Sequence, residues 1–284
     1  MAIIIDGKAI AAKEKDNIRA EVETMRKNGL IPKLVVIIVG EDPASQIYVR
    51  NKKKACEDVG IDSDLIALPE SVEERELIAL VKKFDADNTV SGILVQLPLP
   101  GHISEEAVIS SILPEKDVDA FHPVNVGKIM IGDYGFLPCT PAGIMSLLSH
   151  YDIDVSGKNC VIVGRSNIVG KPMAMLLLHA DGTVTICHSK TRELQKICSG
   201  ADVLVTAIGH AKFFTTDFIK PGAVVIDVGM NRDANGKLCG DIDFDNVKNV
   251  ASYITPVPGG VGPMTIVTLL KNTVTACKIQ NERI

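Results

Sequence analysis

The sequence has 284 residues, of which 46% are hydrophobic and 23% charged, and 30 Lys plus Arg against 35 Asp plus Glu leave a formal net charge of -5. At roughly 100 to 200 residues per domain, that length predicts two domains, and the composition excludes intrinsic disorder, collagen and coiled coil. The negative balance is the wrong sign for a protein that grips a phosphate backbone, so no nucleic-acid partner is expected.

The longest aliphatic run, Leu34 to Val39, is far shorter than the ~20 residues of a membrane helix, and the first residues lack a basic segment followed by a long apolar stretch. The expectation is a cytoplasmic enzyme or binding protein with no membrane partner. The seven cysteines contain no C-x-x-C pair and the six histidines no H-E-x-x-H motif, so buried reduced thiols and no metal are expected.

Short apolar runs then alternate with helical patterns. Lys33 to Val39, Asp64 to Leu68 and Gly92 to Leu97 read as strands, with helices over Ala44 to Val59 and Val72 to Phe84. Strands nearly continuous in Val, Ile and Leu indicate a parallel sheet covered by helices. Between Pro98 and Pro141 prolines crowd and strand signals fade, which places the inter-domain region there. A second series begins at Asn159. Strands are expected at Cys160 to Val163, Thr183 to Cys187, Val203 to Ala207 and Val224 to Val228, with helices after Gly170 and near Thr191 to Cys198. This alternation is of dinucleotide-binding type. From Pro263 a helical pattern without further strands could return to brace the first domain.

The strand ending at Val163 runs into Gly164-Arg-Ser-Asn-Ile-Val-Gly170-Lys-Pro172, which opens an apolar helix. Glycines at such a turn allow a tight bend and close approach of a ligand, and free N–H groups at the helix start favour a pyrophosphate. The spacing is G-x5-G rather than G-x-G-x-x-G, so a purely structural turn stays open as the alternative. An NAD site usually places Asp or Glu after the next strand to bind the ribose 2′-hydroxyl. Here His188-Ser-Lys-Thr-Arg192 follows and Arg165 lies in the turn, which favours NADP.

In the first half, Tyr48, Lys52, Ala55, Cys56 and Val59 fall on one helical arc, while Arg50, Lys53 and Lys54 project from the other side. A lysine on an apolar stripe either snorkels past its neighbours or faces a cleft. Gln96 follows Gly92 to Val95, at the carboxyl end of a parallel strand, where open α/β sheets put their ligands. Asp119 lies in a loop and could pair with an amino-pyrimidine edge or simply cap the chain. Three glycines and three prolines between Thr255 and Met264 define a rigid backbone that can approach a planar ligand.

Tyr48-x-x-x-Lys52, Val95-Gln-Leu-Pro98, Lys116-Asp-Val-Asp119, Pro138-Cys-Thr-Pro141, Gly164 to Pro172, His188-Ser-Lys-Thr191 and Pro256-Val-Pro-Gly-Gly-Val-Gly-Pro-Met-Thr265, taken together, resemble one family over nearly the whole chain. It is the bifunctional methylenetetrahydrofolate dehydrogenase/methenyltetrahydrofolate cyclohydrolase (FolD) family. The resemblance implies a two-domain α/β protein: an N-terminal α/β folate domain over 1–138, completed by helix 263–284, and a Rossmann-type NADP-binding domain over 139–262. It implies an active site in the cleft between them, a homodimer and no metal. It also implies tetrahydrofolate substrates, with oxidation of 5,10-methylenetetrahydrofolate by NADP and hydrolysis of the product to 10-formyltetrahydrofolate.

By the same resemblance Lys52 handles the water and its protons, either as a base or as an ammonium facing a developing oxyanion, and Gln96 orients the amine. Tyr48 stacks near the pterin and Asp119 anchors its amino-pyrimidine edge. Gly164, Arg165, Ser166 and Ser189 hold NADP, and Pro258, Gly259 and Gly262 contribute to the substrate site. Ala120 departs from the family, which commonly has Gly there, so positive φ beside Asp119 should be harder to reach. A monofunctional methylenetetrahydrofolate dehydrogenase, disfavoured by Lys52, and a non-catalytic folate or nucleotide sensor are the alternatives. Another two-domain dehydrogenase acting on amino or hydroxy acids would lack the pairing of Lys52 with Gln96.

Overall fold

A computed structural model describes residues 1–281, without the side chains of Pro43 and Ala44. In chain order the elements are β1 (Ile3–Ile4), α1 (Gly7–Lys27), β2 (Lys33–Val39), α2 (Pro43–Val59), β3 (Asp62–Leu68), α3 (Glu74–Asp85), β4 (Gly92–Val95), α4 (Glu105–Ser111), α5 (Pro123–Ile131) and α6 (Cys139–His150). They continue with β5 (Asn159–Val163), α7 (Gly170–His179), β6 (Thr183–Cys187), α8 (Leu194–Cys198), β7 (Val203–Thr206), β8 (Val224–Asp227), β9 (Asn231–Arg232), β10 (Leu238–Cys239), α9 (Phe244–Val247), β11 (Tyr253–Ile254) and α10 (Val261–Asn281).

The chain divides into two compact units, neither continuous in sequence: Lys13–Cys139 with the residues from Ile266 on, and Met1–Ala12 with Thr140–Thr265. The first is built on a three-stranded parallel sheet in the order β3-β2-β4. Central β2 is buried from Leu34 to Val39, which explains why its sequence is apolar at every position rather than at alternate ones. Edge strand β3 carries only exposed and half-buried residues instead. Val35, Ile37, Leu77, Val81, Ile93, Val108 and Ile112 join one core cluster. At about 1.5 to 3 kcal/mol per large aliphatic side chain, this burial is the main force holding the unit together.

The boundary between the units, Cys139 to Thr140, falls near the end of the Pro98 to Pro141 stretch, and the rest of that stretch is part of the three-stranded unit rather than a linker. Ile103, Val108 and Ile112 belong to this core, and the prolines accompany helices rather than replace them. Pro123 opens α5 and Pro141 lies in the first turn of α6, positions where the missing N–H has no partner to lose.

The second unit carries a six-stranded sheet in the order β1-β11-β8-β7-β5-β6, parallel throughout. From β5 the chain goes to β6 on one side and then to β7 on the other, so the order reverses between β5 and β7, the Rossmann-type switch point at which dinucleotides bind. Val161, Val163, Leu204, Val225, Phe214 and Ile254 are buried in its core.

The expected 1–138 boundary needs a correction at its start, because Met1–Ala12 belongs to the six-stranded unit. There β1 pairs with β11 through Ile3 and Tyr253 and through Ile4 and Ile254, and Lys8 N–H donates to Gly259 O at 3.0 Å. The closing helix begins two residues before the expected Pro263, and the end of the expected range, 282–284, lies outside the described residues.

Candidate active site

In the three-stranded unit, Asp42 caps α2 by accepting from Ser45 N–H at 2.7 Å. Of the predicted stripe on α2, Lys52, Ala55, Cys56 and Val59 are buried and Tyr48 is half-buried, Arg50, Lys53 and Lys54 are exposed, and Val49, which the arc did not include, is buried as well. Lys52 is only 8% exposed. Its Nζ donates to Gln96 Oε1 at 3.0 Å, and Gln96 Nε2 in turn donates to Leu97 O at 2.7 Å. The second bond fixes which way the Gln96 amide faces, so that its oxygen is presented to the lysine. Gln96 is held at the strand end by its own N–H, which donates to Ile37 O at 2.8 Å. Tyr48 lies one turn before Lys52, half-buried, and burial raises its phenol above the ordinary value.

Asp119 lies within a tight turn closed by Ala120 N–H, which donates to Asp117 O at 3.1 Å. Ala120 takes φ +58° and is fully buried, so alanine does reach the left-handed region that was expected to be difficult for it. One side chain the sequence did not single out reaches Asp119: Cys139 Sγ–H donates to Asp119 Oδ1 at 3.4 Å. Full burial and the neighbouring Asp119 carboxylate hold this thiol well above its ordinary pKa, while the Lys52 charge acts in the opposite direction. Lys52 and Asp119 thus both lie within electrostatic reach of one sulfur. Asn272, on α10, was also missed. Its Nδ2 donates to Val118 O at 2.7 Å and to Leu137 O at 2.9 Å, fixing the backbone on either side of the Asp119–Cys139 contact.

The rest of Lys116-Asp-Val-Asp119 is scaffold. Lys116 Nζ, 4% exposed, donates to the carbonyls of Phe84, Asp85 and Asp87 at 3.1, 2.8 and 2.7 Å. Asp117 accepts from His122 N–H and Asn125 Nδ2, both at 2.8 Å, and its burial raises its pKa.

In the six-stranded unit the turn after β5 explains the G-x5-G spacing. Gly164 has φ +141°, and a Cβ on Gly170 would lie 2.2 Å from Gly164 O, so the two glycines pack backbone against backbone. Ser166 Oγ accepts from Val169 and Gly170 N–H at 3.1 and 3.3 Å, capping α7. Val163 pairs with Cys187, which brings the loops after β5 and β6 side by side. In the second loop His188 N–H donates to Thr191 Oγ1 at 2.8 Å and Lys190 N–H to His188 Nδ1 at 3.1 Å. Arg165, Ser166 and Ser189 are exposed on these adjacent loops. The first carboxylate in sequence after β6, Glu193, pairs with Lys196. Two hydroxyls and a guanidinium without a ribose carboxylate suit a phosphorylated 2′ position.

The Gly- and Pro-rich run also lies in this unit. Gly259 has φ +104°, Pro258 is exposed, and a Cβ on Gly262 would meet nothing within 4 Å, so the protein's own packing does not demand glycine at 262. Crowding falls instead on Gly260, whose Cβ would lie 2.6 Å from Pro256 O. Among the described residues no cluster of three or more His, Cys, Asp or Glu side chains could hold a metal ion, and no helix is long and apolar enough to cross a membrane.

A parallel sheet with a glycine turn at its switch point, and a second α/β unit holding a buried lysine on a glutamine, define a two-domain nucleotide-dependent dehydrogenase. Residues 5–119 match the family model of the tetrahydrofolate dehydrogenase/cyclohydrolase catalytic domain, and residues 138–281 that of the tetrahydrofolate dehydrogenase/cyclohydrolase NAD(P)-binding domain. The chain belongs to the tetrahydrofolate dehydrogenase/cyclohydrolase family. It is 59% identical over 279 residues to the bifunctional protein FolD of Acetivibrio thermocellus, covering 98% of each chain. It is similar to the crystal structure of the bifunctional FolD methylenetetrahydrofolate dehydrogenase/cyclohydrolase from Campylobacter jejuni, with 48% identity, a TM-score of 0.97 and full coverage of both chains. The methylenetetrahydrofolate dehydrogenase-cyclohydrolase (FolD) of Trypanosoma brucei, solved with NADP and an inhibitor, is 40% identical with a TM-score of 0.95, covering 100% of this chain and 99% of that one.

Proposed function

We propose that this chain carries both reactions of its family, NADP-dependent oxidation of 5,10-methylenetetrahydrofolate and hydrolysis of the resulting 5,10-methenyltetrahydrofolate to 10-formyltetrahydrofolate, with Lys52, Gln96, Tyr48 and Asp119 as the working residues. Bound NADP accepts a hydride from the methylene carbon. The cation left behind is shared by N5 and N10 of the folate, so this step needs orientation rather than a base. Asp119 anchors the amino-pyrimidine edge of the folate and Tyr48 lies against the pterin, with Pro258, Gly259 and Gly262 offering open backbone to the substrate. Arg165, Ser166 and Ser189 receive the 2′-phosphate and the Gly164 turn receives the pyrophosphate.

Hydrolysis adds water to the cationic carbon with loss of one water proton, and the C–N5 bond then opens as the second proton passes from the hydroxyl to N5 and the carbon becomes the formyl group on N10. Lys52 handles these protons, and Gln96 aims the amine with a neutral acceptor that adds no charge beside the cationic ring. The observation that carries the assignment is the 3.0 Å bond from buried Lys52 to an amide whose orientation is itself fixed. A homodimer in the cytoplasm completes the reading, supported by family membership; a single-chain mass in light scattering would overturn the dimer.

The test is a paired time course with 5,10-methylenetetrahydrofolate and either NADP or NAD, resolving methenyl and 10-formyl products. Wild-type protein should reduce NADP in preference to NAD and form 10-formyl product faster than enzyme-free buffer. Lys52→Met should lose hydrolysis by about a hundredfold or more while hydride transfer falls far less. Parallel loss of both would reject the division of labour, and a methenyl product decaying at the uncatalysed rate in wild type would leave only the dehydrogenase.

A further inference from the structure

Beneath the carboxyl edge of the six-stranded sheet lie two buried carboxylates, Asp227 and Asp241, at 3% and 0% exposure. Asp241 is surrounded by donors. Its Oδ2 accepts from Ile208 N–H at 2.7 Å and Gly209 N–H at 3.3 Å, and its Oδ1 accepts from His210 N–H at 2.8 Å and Asn231 Nδ2 at 2.9 Å. Asp227 supports it from below: its Oδ1 accepts from Asp241 N–H at 3.0 Å and Gly229 N–H at 2.9 Å, and its Oδ2 from Ile242 N–H at 2.9 Å. Two glycines make this possible reciprocally. A Cβ on Gly229 would lie 2.3 Å from Asp241 Oδ1, and one on Gly240 would lie 1.8 Å from Asp227 Oδ2.

The loop that Asp241 holds follows β7, across the switch point from the Gly164 turn, and the two touch, since a Cβ on Gly164 would lie 2.6 Å from Ala207 O. Four donors converging on one buried carboxylate are more than a surface turn needs. They fix three consecutive backbone units beside the place where the dinucleotide crosses the sheet. Ile208 and Met230, next in sequence to the pinned groups, are 38% and 49% exposed.

We infer that Asp241 is a positioning residue for the dinucleotide: it sets the 208–210 loop and Asn231 in the conformation that NADP binding requires, without touching the cofactor. This rests on the NADP assignment above. In Asp241→Asn one acceptor becomes an NH2 facing N–H donors, which releases at least two of the four bonds.

The test uses the full chain and two readouts, NADP affinity by titration and hydrolysis of methenyltetrahydrofolate without nucleotide. Asp241→Asn should weaken NADP binding about tenfold or more while hydrolysis stays within about twofold of wild type. Asn231→Ala, which keeps the carboxylate and removes one bond, should weaken NADP about threefold. A Kd for NADP within twofold of wild type in either variant would overturn the inference, as would hydrolysis falling in step with NADP affinity in both. If Asp241→Asn fails to fold, Asn231→Ala decides alone. Failure of wild type itself to bind NADP would instead overturn the cofactor assignment.

Discussion

Replacing Lys116 with Met probes whether a buried lysine next to the Asp119 turn is structural. The ammonium satisfies three carbonyls at the end of α3, those of Phe84, Asp85 and Asp87. Methionine matches the length but donates nothing, so three carbonyls each lose a hydrogen bond worth about 1 kcal/mol, although Phe84 O and Asp87 O keep one from the N–H groups of Asp87 and Val90. The helix end also loses a cation worth about 0.5 kcal/mol. Against this, the lysine carries a desolvation cost, visible in its lowered pKa, and the buried thioether returns about 1 kcal/mol of apolar transfer. The net loss is about 2 to 3 kcal/mol, or roughly 5 to 10 °C in Tm at about 2 to 4 °C per kcal/mol for a chain of this size. Circular dichroism melts of wild type, Lys116→Met and the exposed control Lys53→Met would measure it. The control should stay within about 0.5 kcal/mol. A Lys116→Met protein that melts with the control would refute the assignment of Lys116 as the clamp on α3.

Gly170→Ala places a Cβ 2.2 Å from Gly164 O and 2.8 Å from Arg165 N, backbone atoms with nowhere to go. The Gly164 turn must shift, costing about 1 to 3 kcal/mol, and the KM for NADP should rise at least tenfold with nucleotide-independent hydrolysis retained; an NADP KM within twofold of wild type would count against the turn as the pyrophosphate site. Asp227 is pushed up to about 7, chiefly by burial, with Asp241 adding to the rise and its backbone N–H donors opposing it. A carboxyl whose pKa is higher folded than unfolded binds more protons in the native state. Its contribution is therefore fully present in acid and is lost as pH climbs from about 4 to about 7, by at most about 4 kcal/mol. Wild type should lose stability relative to Asp227→Asn over that interval in melts taken at successive pH values, and parallel curves would show that Asp227 does not titrate there.

The strands were legible because burial on both faces leaves a nearly unbroken apolar run, as in Leu34–Val39 and Val161–Val163. Lys52 was legible because its helical arc is otherwise apolar. What escaped was set by contacts distant in sequence. The long helix α1 carries charges throughout, yet Ile10, Ala11, Ile18, Val22 and Met25 are buried at helical spacing, a signal present in the sequence and masked by the polar residues between. Helices α4, α5 and α6 were hidden by prolines that read as loop punctuation but include first-turn positions. Asn272 and Cys139 become site residues only through their contacts with Val118 and Asp119, which no local pattern encodes. Ala120 shows the same limit from the other side: local propensity argued against φ +58°, and the surrounding turn imposes it at about 1 to 2 kcal/mol.

The interleaving of the two units has a consequence for synthesis. β1 finds its partner only at Tyr253–Ile254, and Asn272 and Gln280 bond to carbonyls more than 130 residues earlier in their own unit. On a ribosome adding about 5 to 20 residues per second, the early segments spend many seconds with a strand edge and apolar surface open before these late pieces emerge. Such long-range pairings also slow folding, because the intervening chain must close before any contact repays it. The interval in which a nascent chain of this protein is exposed to aggregation and open to chaperones thus extends through most of its translation.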